Sequence, residues 1–214
     1  MTRAELLQIA KPVLFNTEMV KAILEGRKTV TRRLIKPQPT YSPIDGFSWK
    51  GYAYGTDLPP TIKGASYNFR CAAPFKSGDI LYVRETWYRG LNRILYKANY
   101  SEAEKFYENG KEIQVKWHPS LHMPKEAARI FLKVKDVRAE RLNDMNLDDF
   151  LNEGIMVRPE AFNDPENAYW QAKDAFIFLW NSTINKSDIV LYGWDASPWV
   201  WVIEFERIEP DCEV

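Results

Sequence analysis

The stretch Gly26-Arg27-Lys28-Thr29-Val30-Thr31-Arg32-Arg33 decides the fold of the early chain, because it follows a predicted helix and begins a predicted strand. In the preceding residues, Asn16 or Thr17 is a candidate helix cap, and apolar residues recur at the spacing of one helical face. Gly26 stands where a left-handed glycine commonly ends a helix. The β-branched residues that follow favour extended chain. The stretch therefore predicts a short helix, a glycine stop and a strand that carries a lysine, a threonine and two arginines.

Side chains alternate between the two faces of that predicted strand. Thr31 and Arg33 share one face, whereas Arg32 lies on the other. Lys28 and Thr31 have opposite parity, so they converge only if the chain turns at the end of the helix. Because the planar guanidinium fork suits phosphate, Arg32 and Arg33 are candidates to hold a ribose phosphate. Arg33 and the backbone N–H groups near Gly26 are also candidate donors to a developing negative charge.

Length and composition set limits on the function. The 214 residues suffice for one sizeable core, and we expect a single domain over residues 1–214. Lysine plus arginine equals aspartate plus glutamate at 29 each, which excludes a bulk attraction to duplex DNA or to anionic membranes. Cys71 and Cys212 are far apart and far from the histidines, which predicts neither a disulfide framework nor a zinc site. Without an export signal or a membrane span, a cytoplasmic location is expected.

Periodicity along the chain predicts strands interspersed with three helices. The predicted strands are 12–15, 29–34, 80–88, 94–98, 130–141 and 199–208. Besides the helix before Gly26, one helix follows an Asn146 cap and stops at Gly154, and another begins with Asp164 capping Pro165. The irregular order of strands and helices predicts a mixed α+β barrel and not a regular parallel α/β sheet.

Residues 36–75 form a predicted insertion that is rich in Pro, Gly, Tyr and Ser. Such a long irregular segment in a compact domain is usually functional or partly disordered. Its aromatic residues, such as Trp49, Tyr52 and Phe69, have two interpretations. They stack on bases beside a binding site, as in single-strand binders, or they pin the insertion onto the core.

The spacing of Gly26, Lys28, Thr31 and Arg33 resembles the signature of the ASCH-domain family, Gly-x-Lys-x-x-Glu-x-Arg. Here Thr31 replaces the usual glutamate, as it does in one branch, the small acetylcytidine amidohydrolases. Residues 78–85, 147–154 and 199–207 resemble further segments of the family. The long insertions, including residues 118–124, are similar to those of prophage-encoded ASCH proteins.

This resemblance implies a PUA-like mixed β-barrel with about three flanking helices and long loop insertions. It implies binding of RNA or a modified nucleoside in a phage or prophage protein, and hydrolysis of an acyl-amide on a nucleobase, without metal or cofactor. Lys28, Thr31 and Glu153 are then the expected catalytic residues. From the residues alone, the favoured interpretations are a surface charge for Lys28, a β-branched strand residue for Thr31 and an exposed helix residue for Glu153.

Two mechanisms fit the three residues. In one, neutral Lys28 takes the proton of the Thr31 hydroxyl, which attacks the amide carbonyl, and Glu153 passes a proton to the departing amine. In the other, Lys28 and Glu153 orient a water and Thr31 only donates a hydrogen bond. One alternative function is a non-catalytic module that binds RNA or a nucleotide. A nuclease is a further, less favoured alternative. The long insertions predict weak or no activity on free acetylcytidine.

A second group of candidates lies on the predicted strand 80–88. Arg84 shares one face with Thr86, and Glu85 shares the other with Trp87. Glu85 and Trp87 are candidates to recognise and stack on a base, while Arg84 is a candidate contact beside the site. Glu85 is alternatively the interior ion-pair partner of Arg32 or Arg33. His118 and His122 have a helical metal-binding spacing, but the neighbouring prolines disfavour a helix, so no metal site is predicted.

Overall fold

The computed structural model describes residues 1–55, 67–91 and 93–211. Residues 56–66 of the predicted insertion and Cys212 lie outside these ranges. The α-helices in the described ranges are α1 Arg3–Ile9, α2 Thr17–Leu24, α3 Tyr67–Arg70, α4 Leu147–Asn152, α5 Pro165–Ser182 and α6 Ile189–Tyr192. The β-strands there are β1 Lys11–Leu14, β2 Val30–Leu34, β3 Thr40–Ser42, β4 Gly46–Trp49, β5 Tyr52–Gly55, β6 Ile80–Arg84, β7 Trp87–Arg89, β8 Ile94–Tyr96, β9 Phe106–Glu108, β10 Lys111–Ile113, β11 Phe131–Arg141 and β12 Trp199–Ile208.

These elements belong to two compact units, each assembled from stretches that are distant in sequence. The first unit contains Met1–Gly26, Gly78–Lys133 and Glu206–Val214, and the second contains Arg27–Ser77 and Val134–Phe205. The single domain over residues 1–214 stays a prediction.

In the first unit, β6 is the central strand. It pairs in parallel with β1, which places Val13 opposite Val83, and antiparallel with the first residues of β11. The strands β7 and β8 form one hairpin, and β9 and β10 form another. Leu6 of α1 packs with Tyr82 and Phe131 in the core of this unit.

In the second unit, the strand order is β11–β12–β2. The antiparallel pairing of β12 with β2 places Thr31 opposite Ile203. A separate antiparallel sheet contains β3, β4 and β5. The long helix α5 packs against α4 and against one face of β2 and β12, where Val30 and Val202 meet Phe150, Phe176 and Trp194. This apolar contact fixes α4 beside the strand that follows Lys28.

The predicted helix starts are confirmed. The side chain of Asn16 caps α2, that of Asn146 caps α4, and that of Asp164 caps α5, whose first residue is Pro165. Each cap accepts a hydrogen bond from a backbone N–H that has no partner within the helix. Gly26 follows α2 with a φ of 75°, a conformation that glycine adopts without steric cost.

Aromatic side chains of the insertion pack onto β12. Phe47 stacks on Phe69 at 4.4 Å between ring centroids and contacts Trp199 at 4.8 Å. Phe69 also contacts Trp201 at 4.8 Å, and both phenylalanines are fully buried. For these residues, the interpretation that the aromatics pin the insertion onto the core is the one that the structure supports. Tyr52, by contrast, is exposed.

The predicted β-barrel is wrong. None of the sheets in the described residues closes on itself, because each has two strands that pair on one side only. Closure needs a particular register and tilt between the first and last strands, and hydrophobic periodicity reports neither. Several strand-forming segments instead pair locally, as in the hairpins β7–β8 and β9–β10. The fold is a mixed α+β arrangement of small sheets and helices.

Two further expectations differ from the structure. The predicted strand 80–88 is interrupted at residues 85 and 86, between β6 and β7. The described residues contain six α-helices where about three were expected. The additional helices α3 and α6 have four residues each, too few to produce a helical period, and α1 depends on a capping box between Thr2 and Glu5. None of the described helices combines the length and apolar character that crossing a membrane requires.

Candidate functional site

The second unit brings Lys28 and Glu153 together, although they are 125 residues apart in the chain. Glu153 directly follows α4, whose start is fixed by a capping box between Asn146 and Asp149. Gly154 then turns the chain with a φ of 91°. The backbones of Lys28 and Glu153 form an isolated antiparallel bridge. Helix packing and backbone pairing therefore both hold the two side chains at the same place.

The Lys28 ammonium contacts two oxygens of Glu153. Nζ lies 2.6 Å from carboxylate Oε2 and 2.9 Å from the backbone carbonyl oxygen of the same residue. The side chains of Lys28 and Glu153 are 0% and 4% exposed. This is a buried ion pair, in which water screens the interaction far less than it does at the surface.

Burial has a measurable consequence for the protonation of Lys28. It lowers the pKa of this amine below its ordinary value, because the charged form loses its hydration. The Glu153 carboxylate opposes the shift, while the neighbouring charges of Arg33 and Arg32 add to it. Burial also lowers the pKa of Arg33, again opposed by Glu153. A lysine with a lowered pKa can be a proton acceptor at moderate pH.

Arg32 is surrounded by carboxylates. Its guanidinium lies 3.3 Å from Glu153 Oε1 through Nη1, and 2.8 Å from Asp149 Oδ1 and 3.7 Å from Glu140 Oε2 through Nη2. Its side chain is 1% exposed, and Nε has no hydrogen-bond partner among the described residues. The role of Arg32 in holding a phosphate stays a prediction, but its terminal nitrogens are directed at protein carboxylates.

Thr31 is buried in β2 opposite Ile203. It lies two residues before Arg33, so the two side chains share one face of the strand. Among the described residues, no hydrogen bond joins the Thr31 hydroxyl to the Lys28 ammonium or to the Glu153 carboxylate. The contacts of Lys28 and Arg32 with one carboxylate agree with their shared parity. The fold thus brings Lys28 and Glu153 into direct contact. It places Thr31 in β2, directly before Arg32.

The second group of predicted residues lies in the first unit, where Glu85 is buried and forms a two-pronged ion pair. Arg129 Nε and Nη2 donate to Glu85 Oε1 and Oε2 at 2.8 and 2.9 Å. The guanidinium of Arg129 also lies 4.0 Å from the centre of the Tyr96 ring. An interior ion pair is therefore observed, but the expected partner, Arg32 or Arg33, is wrong, because Arg129 holds both oxygens of Glu85.

Arg84 and Trp87 are engaged within the first unit as well. Arg84 donates to the backbone carbonyls of Leu121 and Met123. The buried ring of Trp87 lies 5.2 Å from that of His118, and their backbones form a bridge. Its Nε1 has no hydrogen-bond partner among the described residues. The binding roles of Arg84, Glu85 and Trp87 stay predictions.

Sequence reasoning missed two of the three acidic residues that contact Arg32, Asp149 and Glu140. Asp149 had a signal, because it stands three residues after the Asn146 cap, where a capping box places an acidic side chain. Glu140 had a weaker one, as a charged residue near the end of a long predicted strand. No group of three or more metal-ligating residues occurs in the part of the chain that the structure describes.

Comparison of the chain with protein-family models, with curated proteins and with solved structures finds no significant match. A lysine of lowered pKa in contact with a carboxylate can accept a proton from water or from a hydroxyl and return it to a leaving group.

Proposed function

We propose that this chain is a hydrolase that removes an acyl group from the exocyclic amine of a modified nucleoside of the acetylcytidine type. The observation that carries the proposal is the buried contact between Lys28 and Glu153, two of the three residues that the amidohydrolase resemblance implies. A buried ion pair is weak evidence for stability, whereas the lowered pKa of Lys28 beside a carboxylate supports a role in proton transfer.

The reaction needs one proton acceptor and one proton donor. Neutral Lys28 takes a proton from the attacking water, whose oxygen bonds to the amide carbonyl carbon as the carbonyl π electrons move to oxygen. The tetrahedral oxyanion then re-forms the carbonyl as the C–N bond breaks with its electron pair on nitrogen. The amine takes the proton of the Lys28 ammonium, either directly or relayed by the Glu153 carboxylate, which ends ionised. One amide and one water become one amine and one carboxylic acid, and Lys28 is neutral again.

The contact that supports this sequence is the one between Lys28 Nζ and Glu153 Oε2, because a proton can pass between groups at hydrogen-bond distance. Thr31 has two roles under this proposal. Its hydroxyl replaces water as the nucleophile, or it donates a hydrogen bond to the substrate.

A non-catalytic module that binds RNA or a nucleotide has less support. It was expected to hold phosphate through Arg32 and Arg33 and to stack bases on aromatics of the insertion. The guanidinium of Arg32 instead meets three carboxylates, and Phe47 and Phe69 are buried against β12. No observation favours a nuclease.

The proposal is tested with two substrates, free acetylcytidine and an RNA oligonucleotide that contains one acetylcytidine. Wild-type protein is compared with Lys28→Met and Glu153→Gln, and cytidine release is followed by liquid chromatography. We expect release from at least one substrate by the wild type and a loss of at least about 100-fold in both variants.

Lys21→Met is the matched control, because Lys21 is partly exposed and pairs with the exposed Glu18. It is expected to keep the wild-type rate. Intact substrate after incubation with folded wild-type protein, for both substrates, contradicts the proposal. A wild-type rate in Lys28→Met contradicts the assigned role of that residue.

A further inference from the structure

The Glu153 carboxylate is shared between two cations. Its Oε2 accepts from Lys28 at 2.6 Å, and its Oε1 lies 3.3 Å from Arg32 Nη1. Each oxygen therefore has its own positively charged neighbour. If Lys28 becomes neutral during a reaction, Arg32 remains as a cation in contact with the carboxylate.

Arg32 is itself held in place by acidic residues on two other elements. Its Nη2 lies 2.8 Å from Asp149 Oδ1 on α4 and 3.7 Å from Glu140 Oε2 on β11. Asp149 uses its other oxygen to accept from the Asn146 backbone at 3.0 Å, as part of the helix cap. Glu140 also accepts from Arg138 at 2.5 Å. The position of the guanidinium is thus set by groups outside the catalytic pair.

Three charged groups act electrostatically on the Lys28 ammonium. The charged groups that act on the ammonium are the Glu153 carboxylate and the guanidinium groups of Arg33 and Arg32. Those that contact Arg32 are Glu153, Asp149 and Glu140. An ionised carboxylate buried without a cation is strongly disfavoured, so Glu153 needs a partner whenever Lys28 is uncharged.

Building on the proposed function, we propose that Arg32 is a positioning residue, whose guanidinium orients the Glu153 carboxylate and keeps it ionised while Lys28 is neutral. Arg32 touches no reacting atom in this role. Because the Arg32 guanidinium also neutralises the Glu153 carboxylate, Lys28 can lose its proton without leaving that carboxylate unpaired. The proposal goes beyond the motif positions that carry the amidohydrolase resemblance, because Arg32 is not among them.

The test follows the protonation of Lys28 without any substrate. Lysine labelled with ¹³C at Cε is incorporated, the Lys28 signal is assigned by its loss in Lys28→Met, and its shift is titrated by NMR. In Arg32→Gln, Asp149 and Glu140 lose their cation and Lys28 loses a repelling charge. We expect the titration midpoint of Lys28 to move up by about one pH unit.

Two further variants keep the test decisive if Arg32→Gln does not fold. Asp149→Asn removes one carboxylate from Arg32, and we expect the Lys28 midpoint to fall. Arg32→Gln/Asp149→Asn removes both members of that ion pair, so no unpaired charge remains at their contact. We expect Lys28 to titrate at higher pH in this double variant than in Asp149→Asn alone, a difference that isolates Arg32.

Arg32→Lys keeps the charge and is expected to return the midpoint toward the wild-type value. A Lys28 signal that titrates at the same pH with and without Arg32, in the folded pair of proteins, overturns the proposal. Because no substrate is present, this result is separate from a failure to hydrolyse acetylcytidine.

Discussion

The Lys28 ammonium lies 2.6 Å from the Glu153 carboxylate, in a pair whose side chains are almost fully buried. The two residues are 125 positions apart in the sequence, and an antiparallel bridge between their backbones holds them opposite each other. The pair is therefore a fixed element of the second unit, and its energetic coupling can be measured.

We expect Lys28→Met and Glu153→Gln each to lower the free energy of unfolding by about 3–5 kcal/mol, because each leaves a buried group without its partner. The double variant should lose less than the sum of the two single losses. Urea denaturation of the four proteins gives the coupling energy, which we expect to be at least about 1 kcal/mol.

The exposed pair of Lys21 and Glu18, whose charged atoms lie 3.0 Å apart, is the matched control for this cycle. Water and salt screen it, so the same double-mutant cycle should give about 0.3–0.5 kcal/mol. Equal coupling energies in the two pairs would show that burial adds nothing to the contact between Lys28 and Glu153.

The protonation of Lys28 also predicts how stability depends on pH. Burial lowers its pKa in the folded chain below the ordinary value of 10.5. Between these two values the unfolded chain holds a proton that the folded chain has released. The free energy of unfolding contributed by this group therefore rises with pH in that window. At pH values below the folded pKa, the chain pays the full free-energy cost of burying the charged Lys28. Above pH 10.5, Lys28 is neutral in both the folded and the unfolded chain, and this cost is absent.

Urea denaturation at several pH values between about 7 and 10.5 checks this prediction. The difference in unfolding free energy between wild type and Lys28→Met should increase with pH, by about 1.4 kcal/mol per unit of pKa shift. Tyr96, whose pKa burial raises, titrates in both proteins and cancels in the difference. A difference that falls with pH, or stays constant, contradicts the direction of the Lys28 shift.

Local signals in the sequence predicted much of the secondary structure. Asn16, Asn146 and Asp164 were recognisable as caps because a helix start needs an acceptor for its first N–H groups. The long strand β12 was visible from its β-branched and aromatic residues. Barrel closure was not predictable in this way, since it depends on which strands pair at the edges. The residue pattern of a single strand contains no such information.

In the candidate site, too, the sequence indicates individual residues but not their contacts. Lys28 and Glu153 were identified through a family resemblance, and only the folded chain shows that they touch. Arg32 is predicted to bind phosphate because its planar guanidinium suits that anion. The sequence around a strand arginine does not reveal which acidic group it contacts in the folded chain. Its three carboxylates come from α4, from the residue after it and from β11, so no local pattern could reveal them. Tertiary contacts decide such assignments.

Glu85 is a predicted base-binding residue, but its carboxylate pairs with Arg129, and a substitution distinguishes the two roles. Since Arg129 occupies both oxygens of its buried carboxylate, Glu85→Gln should destabilise the protein by about 3 kcal/mol. Thermal unfolding measures this loss. The KM for an acylated nucleoside should stay at the wild-type value, whereas a base-recognition role would raise it.

Arg129→Lys is the companion variant for Glu85. It keeps the positive charge but loses the planar fork that gives two parallel hydrogen bonds. We expect it to recover part of the stability that Arg129→Ala loses. If Glu85→Gln raises KM while the melting temperature is unchanged, Glu85 contacts substrate and the ion pair is not its main role.

Thr31 separates the two mechanisms that the proposed hydrolase allows. Its hydroxyl has no hydrogen bond to Lys28 or Glu153 among the described residues, so its role depends on the bound substrate. Thr31→Val keeps the shape and removes the hydroxyl. We expect the rate of cytidine release to fall at least about tenfold, because a hydrogen bond to the substrate is lost. Thr31→Ser keeps the hydroxyl and should stay near the wild-type rate.

The size of the loss in Thr31→Val identifies the nucleophile. A loss of about 10- to 100-fold is what one missing hydrogen bond produces, and water is then the attacking group. A much larger loss, together with an acyl group trapped on Thr31 and detected by mass spectrometry, assigns the attack to the hydroxyl. A wild-type rate in Thr31→Val would remove this residue from both mechanisms, because Lys28 and Glu153 would then suffice to activate water.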